Sequence, residues 1–531
     1  MWQIGRSGSR LCALSGALLL TAASTATAEP ITFGLAFSDD DDIPIVGRPV
    51  RAIQEAAVRD DGSWVAQLSW VEPGLGSTRA IFEGDDYAEA PNGVIDYLGL
   101  RPANGPILRG VASDGRIYSD AYMQPPEETN PEAADWFAFL GIGAAMRRNE
   151  PVAPFDEPPG FEPAPGLRRI KYGELRAMNS LGDALASATL DMSPGLNGFP
   201  DLNVLVFKQF NPSAGTIGQV VAAEGQPVPG GAAPIDRVLV ELSDQPADLS
   251  EDGAWAALLA TDFRPYVSPS SRRVYLQDPT LVRNGTAVFR PDAPSPHPGF
   301  VSMTPDTIVA AGMHGSLACT VWLFDAAGEA YSGIWYDGEI IAAEGLVLVD
   351  KSGQPFVADY LGVSHMELTL YNELIWQAAY TLPGDPGTIR RAVFSGNRVI
   401  IDTDQPVLRD QPWSAWSLVD VSAGGEALAL NVRYTNRIDD LVIARRADPC
   451  VADITRDGSC PGCAGYGMPD GRVTVEDLTF FVEAWIGSDA NLADLTTGGS
   501  SSGADGYGVP DGLVSVIDLT FFVEARLAGC S

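Results

Sequence analysis

The residues best placed to do chemistry sit in the last 80 positions and occur twice. Asp470 and Asp477 flank Arg472 and Thr474, and Asp511 and Asp518 flank Leu513 and Ser515, 41 residues later with no gap. The same shift carries Tyr466 onto Tyr507, and Asp477-Leu-Thr-Phe-Phe-Val-Glu-Ala484 onto an identical Asp518-Leu-Thr-Phe-Phe-Val-Glu-Ala525. A duplication of this length is an internal repeat. Carboxylates, a hydroxyl and backbone carbonyls at short fixed spacing are oxygen ligands, the set that suits a hard divalent cation.

The elements that must position them can be read from the same stretch. Leu478, Phe481, Val482 and Trp485 fall at i, i+3, i+4 and i+7, the apolar stripe of an amphipathic helix; Leu519, Phe522, Val523 and Arg526 are the counterparts. Asp477 and Asp518 stand at the starts of these helices, where the positive dipole end favours a carboxylate. Ahead of them runs Asp-Gly-x-Val-x-x-x-Asp. In an EF-hand-like loop this supplies the ligand at position 5, the turn glycine at 6, a carbonyl at 7, a water-bridging residue at 9 and a carboxylate at 12. Those slots are Asp470, Gly471, Arg472, Thr474 and Asp477, then Asp511, Gly512, Leu513, Ser515 and Asp518. The competing reading is a purely structural helix pair with aspartates as caps.

With Ala452-Asp453-Ile-Thr455, Pro469-Asp470-Gly471, Asp477-Leu478, their duplicates and the terminal Gly529-Cys530, positions 450–531 resemble the dockerin family, in particular dockerins ending in Gly-Cys that close many planctomycete exported proteins. The resemblance implies two loop-helix units, one calcium ion in each, and docking of the folded pair onto a cohesin-like partner or other surface protein. It assigns Asp453 and Asp494 to loop position 1, and Thr455 and Thr496 to position 3. Fourteen residues separate Thr455 from Asp470, and Thr496 from Asp511, where an ordinary loop has one. Calcium binding therefore requires each insert to fold out as a side loop. Val475-Glu476 and Val516-Ile517 occupy the places where dockerins present their docking residues.

Four of six cysteines, Cys450, Cys460, Cys463 and Cys530, lie in this tail. In an exported protein such clustering argues for disulfides, with Cys450–Cys530 and Cys460–Cys463 as the pairing the layout suggests. A redox pair or half a zinc site at Cys460-Pro-Gly-Cys463 is the alternative. Cys319 stands alone inside Leu317-Ala-Cys-Thr-Val321 and reads as a buried thiol.

At the other end, residues 1–28 read as a secretory signal: Arg6 and Arg10, the apolar stretch Leu11 to Ala23, and Ala26-Thr-Ala28 before Glu29. That stretch is shorter than the roughly 20 residues a membrane span needs, so no membrane insertion is expected and the mature chain belongs outside the cell or at its surface. Formal charge is −35, with 69 acidic against 34 basic residues. Such a field repels nucleic acid and anionic lipid and attracts cations.

The body, 29–447, reads as a mainly β repeat domain: short Val/Ile/Trp/Tyr/Phe runs such as Trp64-Val-Ala-Gln-Leu68, Ile334 to Ile341 and Ala427 to Val432, broken by Gly, Asn and Asp turns. Gly225, Gly285, Gly345 and Asp404 follow one another at 60, 60 and 59 residues. Turn marks recur at Asp61-Gly62, Asp114-Gly115, Asn179 to Gly182, Asp252-Gly253, Ser352-Gly353 and Gly424-Gly425. The spacing predicts a seven-bladed β-propeller, with stacked β-sandwiches second. Asn179-x-x-Gly182 with Ala184 also resembles a tandem-repeat theme of exported proteins.

Catalytic patterns are scarce. His297, His314 and His365 are scattered, and Gly499-Ser-Ser-Ser-Gly503 has no strand before it to make a nucleophile elbow. The reading is an exported, non-catalytic surface or interaction protein attached by its tail. The alternative is a polysaccharide-active enzyme or carbohydrate-binding protein delivered by that tail, with Trp322, Trp335 and Trp413 either stacking on sugar or filling the blade cores.

Overall fold

A computed structural model describes residues 31–38, 42–43, 48–72, 76–83, 86–89, 101–102, 106–124, 134–141, 143–157, 167–191, 201–210, 217–228, 246–267, 273–402, 413–435, 439–446, 475–487, 493 and 513–528. Apart from a short Asp42–Ile43/Arg48–Pro49 pair, the strands form seven sheets, each built on an antiparallel meander of four strands; in the sixth the Val347–Val349/Pro355–Val357 hairpin adds to the edge through a parallel pairing at Val349 and Arg398. The first strand of each is Ala52–Val58, Ile107–Val111, Arg169–Met178, Ala247–Leu249, Ser302–Ala311, Tyr360–Leu368 and Trp413–Val421. These first strands lie side by side in order, and the ring closes where Trp413–Val421 meets Ala52–Val58. This is a seven-bladed β-propeller.

The closing blade is built from both ends of the domain. Ile31–Ser38 pairs with Asp439–Arg446, from Ile31 opposite Arg446 to Ser38 opposite Asp440, and becomes the fourth strand of blade 7. Pairing the two ends of the domain in one blade closes the ring.

Sequence explains the ring through two repeated devices. The first is the turn from first to second strand, at 59–63, 112–116, 179–183, 250–254, 312–316, 369–373 and 422–426. Each places a left-handed residue fourth: Gly62, Gly115, Gly182, Gly253, Gly315, Asn372 and Gly425. Glycine and asparagine adopt that conformation at least cost. The second device is continuous apolar runs, which give inner strands such as Leu374–Leu382 and Ala427–Tyr434 two buried faces. One cluster of small and branched residues fills each of the seven junctions; Ala66, Leu68 and Phe82 of blade 1, for example, pack on Ala427, Ala429 and Leu441 of blade 7.

Several sequence expectations need correction. Ser352-Gly353 is not a first-to-second-strand turn; it caps the small Val347–Val349/Pro355–Val357 hairpin, and Asn372 does the work in blade 6. Gly285 lies between the third and fourth strands of blade 4, whereas Gly225 and Gly345 follow fourth strands, so the 60-residue spacing mixed two positions. Ile334 to Ile341 is a hairpin, not one strand, turning at Asp337-Gly338. Cys319 is a buried free thiol.

In the tail, Val475–Gly487 and Val516–Ala528 are helices. They meet through Phe481 and Phe522, rings stacked 4.1 Å apart at 2°. The Trp485 indole donates to the Ser515 carbonyl at 2.7 Å. The expected stripe packs in this contact, with Leu478, Phe481, Trp485, Leu519 and Phe522 in one cluster; Phe480 and Phe521 are buried besides, while Val523 is 38% exposed.

Candidate functional site

In six blades the first strand carries extra residues that slip the ladder: Gln54, Arg109, Arg176, Asp306 to Ile308, Ser364 and Val419. Bulges of this kind re-aim side chains. Five are held by a polar residue of the second strand, 11 or 13 positions later. Gln67 bonds Gln54; Asp120 accepts from Arg109 Nη2 at 3.2 Å; Ser187 accepts from Arg176 Nε at 2.9 Å. Thr320 Oγ1 accepts from Thr307 N at 3.0 Å, and Gln377 Oε1 from Ser364 Oγ at 3.2 Å. All five second-strand residues are buried. Three of them also cross to the next blade: Leu108 N, Leu175 N and Leu418 N donate to Gln67, Asp120 and Gln377 at 2.8, 3.1 and 2.9 Å. A buried amide or carboxylate is tolerable there because backbone donors satisfy it.

Two residues before the turn, three first strands bear a carboxylate in a common geometry. Asp248 accepts from Ala311 N at 2.8 Å, Glu367 from Val421 N at 3.2 Å, and Asp420 from Val58 N at 2.8 Å, each reaching the following blade. Blade 2 has Gly110 at this level, and a Cβ there would overlap the Tyr118 hydroxyl, so the phenol occupies the side-chain space the glycine leaves. Burial raises the Tyr118 pKa, and the charges of Asp420, Asp248, Glu367 and Glu251 raise it further, placing all four acids in one electrostatic neighbourhood. Burial pushes Asp248 up to about 6 against the pull of its backbone donors. Asp420 is raised well above the usual carboxylate range by burial and then by Glu367. His365 Nε2 contacts Glu367 on its other oxygen.

A mixed cluster lies where blades 1–3 meet. Arg109 bridges Asp120 and Glu174 at 3.2 and 3.0 Å, and Arg176 reaches Glu174 at 3.3 Å. Arg79 is depressed by burial, partly offset by Asp120 and reinforced by Arg109. Charges here neutralise one another in hydrogen-bonded pairs, so the cluster pins blades together.

Of the expected metal ligands, Leu513, Ser515 and Asp518 lie among the fully described residues. Ser515 N and Oγ donate to Asp518 Oδ2 at 2.7 and 2.9 Å, and Ile517 N donates back to Ser515 Oγ at 3.1 Å. This is a reciprocal capping box, with Asp518 fully buried. Loop positions 9 and 12 are thus the N-cap and third residue of the helix, three apart in either role. Asp477 falls within the first helix. Asp453, Thr455, Asp470, Arg472, Thr474, Asp494, Thr496, Asp511 and the cysteines Cys450, Cys460, Cys463 and Cys530 lie outside the described residues. Among the described residues no group of three His, Cys, Asp or Glu is gathered to hold a metal, and no helix is long and apolar enough to cross a membrane.

No known protein family and no curated protein sequence matches the chain. Solved structures do resemble it. A polysaccharide lyase, Uly1, is 10% identical with a TM-score of 0.30 over 75% of this chain and 89% of its own. An ulvan lyase of family PL25 is 8% identical with a TM-score of 0.31, over 74% and 93%. A putative glycoside hydrolase from Parabacteroides distasonis is 9% identical with a TM-score of 0.21, over 51% and 85%. These are likenesses of strand architecture and carry nothing about substrate.

Sequence reasoning missed the buried polar residues that tie the blades. A signal was present: a single polar residue inside an apolar second strand, as in Trp64-Val-Ala-Gln67-Leu68 and Leu374-Ile-Trp-Gln377-Ala378.

Proposed function

We propose that this is an exported, non-catalytic interaction protein. The propeller is its rigid binding domain, and the duplicated C-terminal module attaches it to a cohesin-like or other surface protein, with one calcium ion in each loop. The observation that carries this reading is the second tail helix, which is apolar on two sides at once. Phe522 is fully buried on Phe481, while Val516 and Ile517 at the helix start are 67% and 42% exposed. A structural cap alone gives no reason for paired exposed aliphatics beside a buried, capped carboxylate; a partner-docking end does. The acids that reach between blades support a non-catalytic body, because Asp120, Asp248, Glu367 and Asp420 each accept from a backbone donor of the next blade.

The test is calorimetry on the full mature chain with calcium and with chelator. Asp470→Ala and Asp511→Ala remove loop ligands without touching either cap. Calcium raises the melting temperature of the tail transition in the parent, and the double variant loses that rise. Equal transitions with and without chelator would reduce the aspartates to caps and overturn the calcium part of the proposal.

A further inference from the structure

We propose that the face of blade 5 turned towards blade 6 carries a binding site for a neutral, hydroxyl-rich pyranose chain, with Trp322 as its stacking platform. The Leu317–Phe324 strand buries almost everything it carries; Ala318 packs into the junction with Leu361 and Trp376 of blade 6, and Cys319, Val321 and Leu323 pack on the other side towards blade 4. Trp322 breaks the pattern at 41% exposed, whereas Trp335 of the next strand is buried in the core. Exposing so large a ring forfeits burial that its neighbours all achieve.

The surroundings of Trp322 are polar and fixed. The Asp306 carboxyl lies beside the indole; burial raises its pKa and the neighbouring indole lowers it. Asp306 projects from the largest bulge among the described first strands: Pro305 to Val309 is four steps along one strand, opposite Val321 to Cys319, two steps along the other. Thr320 Oγ1 holds that bulge open by accepting from both Thr307 N and Ile308 N at 3.0 Å. Directly across the ladder from Trp322 stand Thr304 and Ser332. Directly opposed side chains share one face of the sheet. Glu344 closes the edge, accepting from Ser332 N at 3.3 Å and from Leu361 N of blade 6 at 3.0 Å.

An apolar ring face set among two hydroxyls and two carboxylates matches the chemistry of a sugar ring. The axial C–H face stacks on the indole, and the hydroxyls reach the oxygen acceptors. Sign of charge narrows the class. Asp306 and Glu344 border the platform within a chain of formal charge −35, so uronate- or sulfate-bearing chains are repelled and neutral ones are not.

The site is distinct from the tail, and its test is arranged so that the two readings fail separately. The full mature chain, in chelator, is titrated by calorimetry with neutral hexasaccharides of glucose, mannose, xylose and galactose, and in parallel with oligogalacturonate. The expected result is saturable binding to at least one neutral hexasaccharide, unaffected by chelator, with no binding of oligogalacturonate. Trp322→Ala weakens it about tenfold or more, Trp322→Phe weakens it less, and neither moves the melting temperature by more than about 2 °C. Binding that survives Trp322→Ala, a preference for the acidic chain, or no binding to any of the four neutral chains would each overturn the proposal.

Discussion

Asp248→Asn should reverse part of the pH dependence of propeller stability. Asp248 has an ordinary pKa of 3.8 and is pushed up to about 6 by burial, so the folded state binds its proton more tightly than the unfolded chain. The stability it contributes is fully present below about pH 3.8 and is lost as pH rises through about 6. The shift of about 2 units corresponds to about 3 kcal/mol at 1.36 kcal/mol per unit. The residue is not fully buried, so solvent screening makes this a ceiling. The amide removes the titration and keeps only one of two acceptors, since Asp248 Oδ1 also accepts from Leu249 N at 2.8 Å. That lost bond costs about 1 kcal/mol at every pH. For a domain of about 420 residues at roughly 2.1 cal/mol/K per residue, 3 kcal/mol is about 3 °C in Tm. Scanning calorimetry of both proteins from pH 4 to 7.5 reads the difference. The variant begins about 1 °C less stable at pH 4 and gains steadily on the parent as pH rises. Parallel curves would mean that the Asp248 carboxyl is solvated like a surface group and the reasoning is wrong.

Other outcomes follow from the same contacts. Gly110→Ala forces Tyr118 out of its place and costs about 1–3 kcal/mol; Gly110→Ala combined with Tyr118→Phe recovers part of it, read as Tm in a double-mutant cycle. Arg446→Met leaves Glu373 buried without the guanidinium that contacts it at 2.8 and 2.9 Å, costing about 3–5 kcal/mol in chemical denaturation. Gln377→Leu removes the acceptor of Leu418 N and of the Ser364 hydroxyl, costing about 2–3 kcal/mol, while Gln377→Glu costs less at pH 4 than at pH 8.

The propeller was legible because its punctuation is local. Gly62, Gly115, Gly182, Gly253 and Gly425 announce left-handed turns by residue type, and four-strand blades follow from the apolar runs between them. Blades 5 and 6 were harder to read. His314-Gly315 sits among other glycines, and Asn372 replaces the glycine altogether, while Ser352-Gly353 marks a different turn. The acids that reach between blades were invisible in the sequence, since nothing local separates Asp248, Glu367 and Asp420 from the other acidic residues. Their common reach to the next blade is a property of the closed ring. Trp322 and Trp335 could not be told apart either, because a difference of one strand decides which ring is buried. The tail helices and the stripe of Leu478, Phe481, Leu519 and Phe522 were plain from the duplication, whereas the burial of Phe480 and Phe521 beside it is not part of that periodicity.

The most direct measurement is calcium titration of the full mature chain by isothermal calorimetry. The account predicts two ions per chain, reduced to one by Asp511→Ala and abolished when Asp470→Ala is added. Heat no larger than dilution, or a stoichiometry unchanged in the double variant, would contradict it.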